Sequence, residues 1–234
     1  MGRSLLRYGL LGSLAWAAPA PAAYVPMLAR ALRIPLRLPH RDGVALTFDD
    51  GPHPQGTPAV LEALEQAGAT ATFFLVGEQV DRFPALAAEI AAAGHEIAIH
   101  GYRHRLLLRR SPIALVADFD RAQDAIAAAT GRSPSLYRPP YGVFSTPALA
   151  IVRHRGWTPC LWSKWGWDWS ASATAESVAM RATTGLCAGD VVLLHDADHY
   201  SSPGSWRSTA AALPRVLDAV AALDVGCVSV SQST

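Results

Sequence analysis

The chain has 234 residues, of which 50% are hydrophobic and 17% are charged. These proportions are typical of a globular protein with a buried core and exclude a disordered chain. With a formal net charge of +1, the chain lacks the basic field of proteins that bind nucleic-acid phosphates, so no nucleic-acid partner is expected.

The chain begins with a hydrophobic segment. The run Tyr8–Ala29 carries no charge and is long enough to cross a hydrocarbon core. Because Arg3 and Arg7 precede it, the run fits an export signal and an uncleaved anchor equally, whereas a buried core helix should carry polar residues on one face. We therefore predict a signal peptide or membrane anchor with a basic linker over residues 1–40. A folded domain is predicted over 41–234, outside the cytoplasm and either membrane-anchored or secreted.

From residue 44 onward, short apolar runs alternate with longer amphipathic runs. Strands are predicted at Val44–Phe48, Thr72–Val76, Glu96–His100, Ser135–Arg138, Thr158–Ser163, Val191–His195 and Gly226–Val230. Helices are predicted between them, and several begin at Pro, Ser or Thr and end at Gly. Repeated strand–helix units predict an α/β fold with a parallel sheet. Since the chain is shorter than eight such units require, we expect a distorted (β/α) barrel of seven parallel strands.

Ionisable residues occur where five of these predicted strands end. In chain order they are Asp49 and Asp50, His100, Arg138, Asp168, and His195. Active sites of parallel α/β folds lie at the carboxyl ends of the strands. The pattern therefore predicts that these side chains meet at one rim of the barrel.

His100 and His104 are four residues apart, close enough for a tight loop to direct both imidazoles at one ion. Two neutral imidazoles and one carboxylate suit a catalytic divalent transition metal. A solvated His-x-x-x-His pair is the alternative for these two residues. For Asp49 and Asp50, which precede Gly51-Pro52, the alternative is a turn whose carboxylates bond only the local backbone.

Five ordered motifs together resemble the polysaccharide deacetylase family, carbohydrate esterase family 4. They are Thr47-Phe48-Asp49-Asp50-Gly51-Pro52, the His100 and His104 pair, Arg138-Pro139-Pro140-Tyr141, Asp168-Trp169 and Leu193-Leu194-His195. The resemblance covers about residues 42–231. It implies a distorted (β/α) barrel and metal-dependent removal of acetyl groups from N-acetylated sugars.

The resemblance also implies a role for each matching residue. It makes Asp50, His100 and His104 the ligands of one divalent ion, with Zn²⁺ expected and Co²⁺, Ni²⁺ and Mn²⁺ as alternatives. The remaining implied roles are the general base for Asp49, the cation that holds it for Arg138, the general acid for His195, the carboxylate that orients His195 for Asp168, an oxyanion donor for the backbone N–H of Tyr141, and walls of an acetyl pocket for Trp169 and Leu193.

The sequence departs from the family pattern at three positions. Gly101 stands where relatives usually carry Ser or Thr, and Arg105 where they carry Pro, which puts the support of the metal loop in question. Trp165 stands where many relatives have a further Asp. It is one of four tryptophans in eight residues, for which sugar stacking and core filling are equally open. Past His195, we predict a solvated rim loop that contains Asp196, Asp198 and His199.

The leading hypothesis is a metal-dependent deacetylase that acts, as a monomer, on an envelope or extracellular N-acetylated glycan. Peptidoglycan, chitin-like oligomers and an exopolysaccharide are the candidate substrates. A hydrolase of non-sugar C–N bonds is one alternative, and a catalytically silent sugar-binding module is another. A silent module has no need of both an acid and a base, so the complete set of ionisable residues favours an enzyme.

Overall fold

The structure is a computed structural model that describes residues 13–231. Its strands in this range are β1 (Gly43–Asp49), β2 (Thr72–Leu75), β3 (Glu96–Ile99), β4 (Leu136–Tyr137), β5 (Thr158–Pro159), β6 (Lys164–Trp165), β7 (Val191–His195) and β8 (Gly226–Cys227). Seven of them follow the order β5-β4-β3-β2-β1-β7-β6, and β8 pairs with the start of β1. All pairs between these strands are parallel, so the predicted α/β class and seven-stranded parallel sheet are confirmed.

Helices cover the outside of the curled sheet. They are α1 (Pro26–Ala31), α2 (Gly56–Gln66), α3 (Gly77–Arg82), α4 (Pro84–Ala92), α5 (Pro112–Thr130), α6 (Thr146–His154), α7 (Ala175–Thr183) and α8 (Trp206–Ala221). Side-chain caps fix several helix starts, since Ser111, Ser145 and Thr174 each accept a backbone N–H of the following turn. The sequence predicted α2 and α4–α8 but missed α3, a helix of only six residues.

The fifth predicted strand, Thr158–Ser163, is wrong as a single element. In the structure, β5 covers only its first two residues, and β6 begins directly after it at Lys164, at the opposite end of the sheet order. Residues 160–163 cross between these edges instead of continuing β5. Cys160 N–H still donates to Tyr137 of β4, whereas Ser163 N–H donates to Val191 of β7. An unbroken apolar run hides this crossing, because burial on both sides produces the same pattern as a central strand.

β1 is the centre of the core. All seven of its residues are buried, and it lies between β2 and β7. Phe48 stacks on Phe73 of β2 with ring centroids 5.1 Å apart. Because β1 is covered on both faces, its carboxyl end is held rigidly, and this is where Asp49 and Asp50 lie.

The segment before β1 spans the open side of the sheet. Pro35 C=O accepts from Leu161 N–H near β5, and Leu38 N–H donates to Gly189 C=O just before β7. The Arg37 guanidinium lies 2.9 Å from the buried carboxylate of Asp190. These contacts link the crossing after β5 to the start of β7 without a further strand.

The described part of the predicted N-terminal segment packs on the domain. Ala22, Ala29 and Ile34 are buried, and the Trp16 indole N–H donates to Leu108 C=O. Within residues 13–231, none of the helices combines the length and the apolar character needed to cross a bilayer. The first part of the uncharged run, residues 8–12, lies outside the described residues, and the export or anchor assignment stays a prediction.

Candidate active site

A cavity of about 370 Å³ lies at the carboxyl ends of the strands. The residues predicted for the site that line it are Asp49, Asp50, His100, His104, Tyr141, Trp169, Leu193 and His195. The other two predicted residues, Arg138 and Asp168, are buried behind this lining and bond to Asp49 and His195. The structure therefore brings every predicted site residue to one place.

The end of β1 places two adjacent carboxylates in the same cavity. Side chains alternate along a strand, so consecutive residues would normally point to opposite faces. Asp50 leaves the extended conformation with φ of +78°, and Gly51 C=O then accepts from Val76 N–H at the end of β2. This left-handed residue redirects the chain and lets Asp49 and Asp50 share the cavity.

The loop after β3 carries the two imidazoles. His100 Nδ1 is 2.9 Å from Arg138 C=O, which makes Nδ1–H the donor and leaves the lone pair on Nε2 facing the cavity. Gly101 has φ of +86°, a conformation that a Ser or Thr adopts at a cost. The Asp118 carboxylate of α5 accepts from the backbone N–H of Tyr102 and Arg103. The loop thus has its own support despite its departure from the family pattern.

Asp50, His100 and His104 fit a divalent metal ion. Their donor atoms all lie within 4.8 Å of one another, and Asp50 Oδ1 is 3.5 Å from His100 Nε2 and 3.3 Å from His104 Nε2. Asp50 Oδ1 is buried and has no hydrogen-bond partner among the described residues. Burial lowers the pKa of His100 to about 3 and that of His104 to about 2, so both rings are neutral and offer lone pairs. A cation among these atoms would provide the missing partner of Asp50.

Burial has the opposite effect on the carboxyl group. Burial is the largest cause that raises the pKa of Asp50. His195 opposes it, the nearby Asp49, Asp196 and Asp168 add to it, and together these effects bring the pKa to about 7. Gathering carboxylates in a buried space is unfavourable unless positive charge accompanies them. A bound cation would therefore stabilise this cluster of carboxylates.

Arg138 fixes Asp49. Its guanidinium is fully buried, and Nη1 donates to Asp49 Oδ1 at 2.7 Å and to the Thr47 hydroxyl at 2.8 Å. Nη2 donates to Leu161 C=O, and the guanidinium carbon lies 3.9 Å from the centre of the Phe74 ring. Burial raises the pKa of Asp49, while the Arg138 charge acts to lower it. With Oδ1 occupied by Arg138, Oδ2 is the oxygen left for chemistry.

Asp168 fixes His195 in a similar way. Asp168 Oδ1 is 2.9 Å from His195 Nδ1, while Oδ2 accepts from His195 N–H and from the Thr209 hydroxyl. Burial alone would lower the pKa of His195. The Asp168 charge and hydrogen bond outweigh it, with help from Asp50 and Asp49, and raise that pKa to about 10. His195 is therefore a cation near neutral pH, with Nε2–H free to donate.

Aromatic side chains form the walls of the cavity. The indole rings of Trp165 and Trp169 lie 5.6 Å apart, and Trp169 packs edge-on against His195. Trp162 is buried, whereas Trp167 is 44% exposed and is not among the residues that line the cavity. Trp162, Trp165 and Trp169 therefore line the cavity, and Trp167 lies outside both the cavity and the core.

Similarity to known proteins, in sequence and in structure, identifies the family of the chain that carries this site. Residues 38–160 match the polysaccharide deacetylase family, and this match spans more than half of the 234 residues. The chain belongs to that family. A peptidoglycan-N-acetylglucosamine deacetylase of Bacillus cereus is 36% identical over 180 residues, which are 74% of this chain and 79% of that relative. A chitooligosaccharide deacetylase of Azorhizobium caulinodans is 32% identical over 190 residues, or 78% of this chain and 90% of that relative.

Solved structures agree with this assignment. The Bc1960 peptidoglycan N-acetylglucosamine deacetylase superposes with a TM-score of 0.79 and 27% identity, covering 85% of this chain and 91% of that chain. A family 4 carbohydrate esterase from Streptomyces lividans superposes with a TM-score of 0.71 and 32% identity, over 80% of this chain and 93% of that chain. The predicted distorted (β/α) barrel and the predicted hydrolase class are confirmed.

A second cluster of possible ligands in this polysaccharide deacetylase is formed by His53, Asp198 and His199. His53 Nδ1 accepts from the backbone N–H groups of Gln55 and Gly56, so its Nε2 carries the proton, and this nitrogen lies 3.2 Å from Asp198 Oδ1. A ring that accepts at Nδ1 and donates at Nε2 has no lone pair left for a metal. The cluster is a hydrogen-bonded network that supports the rim.

The prediction of a solvated loop after His195 is wrong for Asp196, whereas Asp198 and His199 are half-buried. Asp196 is fully buried and accepts from the Thr57 hydroxyl, and the start of α2 packs directly against it. A Cβ at Gly56 would lie 2.0 Å from the Asp196 carbonyl oxygen, so only glycine allows this approach. The loop is thus packed at the rim because α2 contacts it, which its polar composition conceals.

Several residues that support the site were missed from the sequence. Tyr200 stacks on His104 with ring centroids 4.4 Å apart, and its hydroxyl donates to Glu78. Thr47 and Thr209 anchor Arg138 and Asp168 through their hydroxyls. Thr47 could have been predicted, because it is a polar residue at an inward position of a buried strand. Nothing in the local sequence indicated the roles of Tyr200 and Thr209.

Proposed function

We propose that this family member hydrolyses N-acetyl groups of glucosamine residues in an envelope glycan. One observation carries the proposal: a carboxylate held by a buried arginine and an imidazole held by a buried carboxylate share a cavity with a three-ligand metal cluster. The B. cereus and A. caulinodans relatives are named for peptidoglycan and chitooligosaccharide, which supports this substrate class.

Each side chain has a chemical task in this proposal. Asp50, His100 and His104 would hold the ion, which polarises the acetyl carbonyl and lowers the pKa of water. Asp49 Oδ2 accepts the proton of the attacking water, because Arg138 holds Oδ1 and fixes the rotamer. His195 Nε2–H protonates the leaving nitrogen, and Asp168 keeps the ring in the required tautomer.

The remaining site residues bind the acetyl group. Trp169, Leu193 and Tyr141 line the cavity, so the first two would form apolar walls around the acetyl group and the backbone N–H of Tyr141 would donate to the developing oxyanion. Tyr141 has φ of +61° and follows two prolines that have no N–H, so its amide is the first available after Arg138. Zn²⁺ is the expected ion for two nitrogens and one oxygen, with Co²⁺, Ni²⁺ and Mn²⁺ as alternatives.

The substrate is tested by acetate release from a panel. The full chain, supplied with Zn²⁺, is incubated with peptidoglycan, chitooligosaccharides, an N-acetylated exopolysaccharide and a non-sugar acetamide. We expect acetate from at least one glycan and none from the acetamide. Release from the acetamide alone would favour the C–N hydrolase, and binding without release would favour the silent module.

The location outside the cytoplasm also belongs to this proposal, because peptidoglycan lies there and residues 1–40 fit a signal or anchor. The cleaved or membrane-inserted part of this segment would lie before Ala22, since Ala22, Ala29 and Ile34 are buried in the domain. We further propose that the protein acts as a monomer of one domain, 41–234, preceded by that segment. Alkaline phosphatase fused after Thr234 should be active in intact cells. A fusion that is active only as a cytosolic reporter would contradict the location.

The pH dependence of turnover tests the pairing of Asp168 with His195. The acid must be protonated, so activity falls as pH rises through the pKa of His195, which Asp168 raises to about 10. Asp168→Asn removes that charge, and we expect the alkaline limb of kcat to move to lower pH, with kcat reduced. Adding Asp168→Asn to a His195→Ala chain should change little, because residues that act as a unit are not additive. Fully additive losses would contradict the pairing.

A further inference from the structure

The segment that precedes the family-matched region reaches the active site. The family match begins at residue 38, yet Tyr24 lines the catalytic cavity with Asp50 and His195. The Tyr24 ring lies 5.6 Å from Trp165 in an edge-on arrangement. This chain therefore adds an aromatic side chain to the cavity from outside the region that defines the family.

The backbone fixes the position of Tyr24. It follows the short 3₁₀ helix Ala20–Ala23, and its N–H donates to Pro21 C=O at 2.9 Å. Ala22 is fully buried, and Ala23 packs against the turn Pro140–Gly142 that carries Tyr141. A Cβ at Gly142 would lie 2.4 Å from the Trp162 ring and 3.4 Å from Ala23 Cβ, so the turn is close-packed against both residues. Tyr24 thus stands on a rigid base.

Tyr24 is poorly explained as a core residue. It is 62% exposed, and Tyr141, which also lines the cavity, is 54% exposed. Aromatic rings at the mouth of a polar cavity present an apolar face together with a hydroxyl, the combination that suits the C–H face and hydroxyl groups of a sugar ring. An N-acetylated sugar at the metal cluster would place the next sugar of its chain near this mouth.

We propose that Tyr24 binds the sugar next to the one that is deacetylated, and so makes the enzyme favour oligomers. This inference rests on the proposed function. Its occupant is a second sugar ring of the same glycan, because Tyr24 shares one cavity with the catalytic residues. Tyr24 acts on binding and not on the acetyl chemistry.

The test compares N-acetylglucosamine, which has no second sugar, with the N-acetylated chitooligosaccharide of five sugars. Tyr24→Ala should raise KM for the five-sugar substrate about five- to tenfold, the range that one aromatic contact provides, and leave kcat unchanged. The single sugar should be affected less than twofold. Tyr24→Phe should restore most of the loss, and Met27→Ala, a 78% exposed residue in the same segment, should have no effect.

Binding provides a readout that does not depend on turnover. Calorimetric affinity for the five-sugar oligomer is measured in an Asp49→Asn chain with and without Tyr24→Ala, and Kd should rise by the same factor. Unchanged affinity of the Tyr24→Ala chain would overturn the inference. Equal losses of activity on both substrate lengths would also overturn it, because they would indicate a structural role or an outer-surface role such as membrane contact. If the oligomer binds through Tyr24 but no acetate is released, the proposed function fails while this inference stands.

Discussion

Asp49→Asn is expected to lower kcat by about a hundred- to ten-thousand-fold, the range for loss of a general base. The amide keeps the shape of the carboxylate but cannot accept the proton of water. It can still face Arg138 Nη1 with its oxygen, so the buried guanidinium keeps a partner. Initial rates of acetate release at saturating glycan measure the effect.

The control for this variant is Asp218→Asn. Asp218 is exposed on α8 and is not among the residues that line the cavity, so its loss should leave turnover unchanged. Metal content of the Asp49 variant should equal that of the wild type, because Asp49 is not in the ligand cluster. Near-normal turnover of Asp49→Asn on every glycan that the wild type deacetylates would contradict the assignment of Asp49 as the general base.

His104→Ala is expected to abolish stoichiometric metal binding and, with it, acetate release. The change removes one of three protein ligands, and the two that remain do not make a catalytic site of the usual kind. Metal content by elemental analysis after dialysis measures the loss. Circular dichroism checks that the barrel survives the loss of a ring that packs against Tyr200 and Tyr141.

A matched variant separates the two histidine clusters. His199→Ala removes an imidazole from the cluster with His53 and Asp198, in which His53 Nδ1 is already used to accept backbone N–H groups. This chain should keep one ion and most of its activity. Unchanged metal content in His104→Ala, or loss of the ion in His199→Ala, would show that the ion is not held by Asp50, His100 and His104.

Local patterns in the sequence were enough to predict the strands that carry the site. Val44–Phe48 was predicted as a strand, and β1 extends one residue beyond it at each end. An apolar run followed by polar residues predicts such a strand from the local sequence alone. The run is buried on both faces of the sheet, and the polar residues at its carboxyl end line the cavity. The residues that end β1, β3 and β7 therefore converged as expected.

Contacts between distant segments could not be predicted in this way. The split of residues 158–163 depends on Leu161 pairing with Pro35, and the burial of Asp196 depends on the approach of Gly56. Tyr24 reaches the cavity only because Ala22 and Ala23 pack against another loop. Each arrangement joins segments far apart in the chain, so neither periodicity nor turn composition encodes it.

Titration of the metal-free enzyme with Zn²⁺ tests the proposed metal-dependent mechanism most directly. Acetate release from an N-acetylated chitooligosaccharide is measured at each point of the titration. The Asp50, His100 and His104 cluster predicts no activity without metal and a linear rise that ends at one ion per chain. His104→Ala should remain inactive throughout the titration. Activity that survives complete metal removal, or a rise that continues to two ions per chain, would contradict a single metal centre at this cluster.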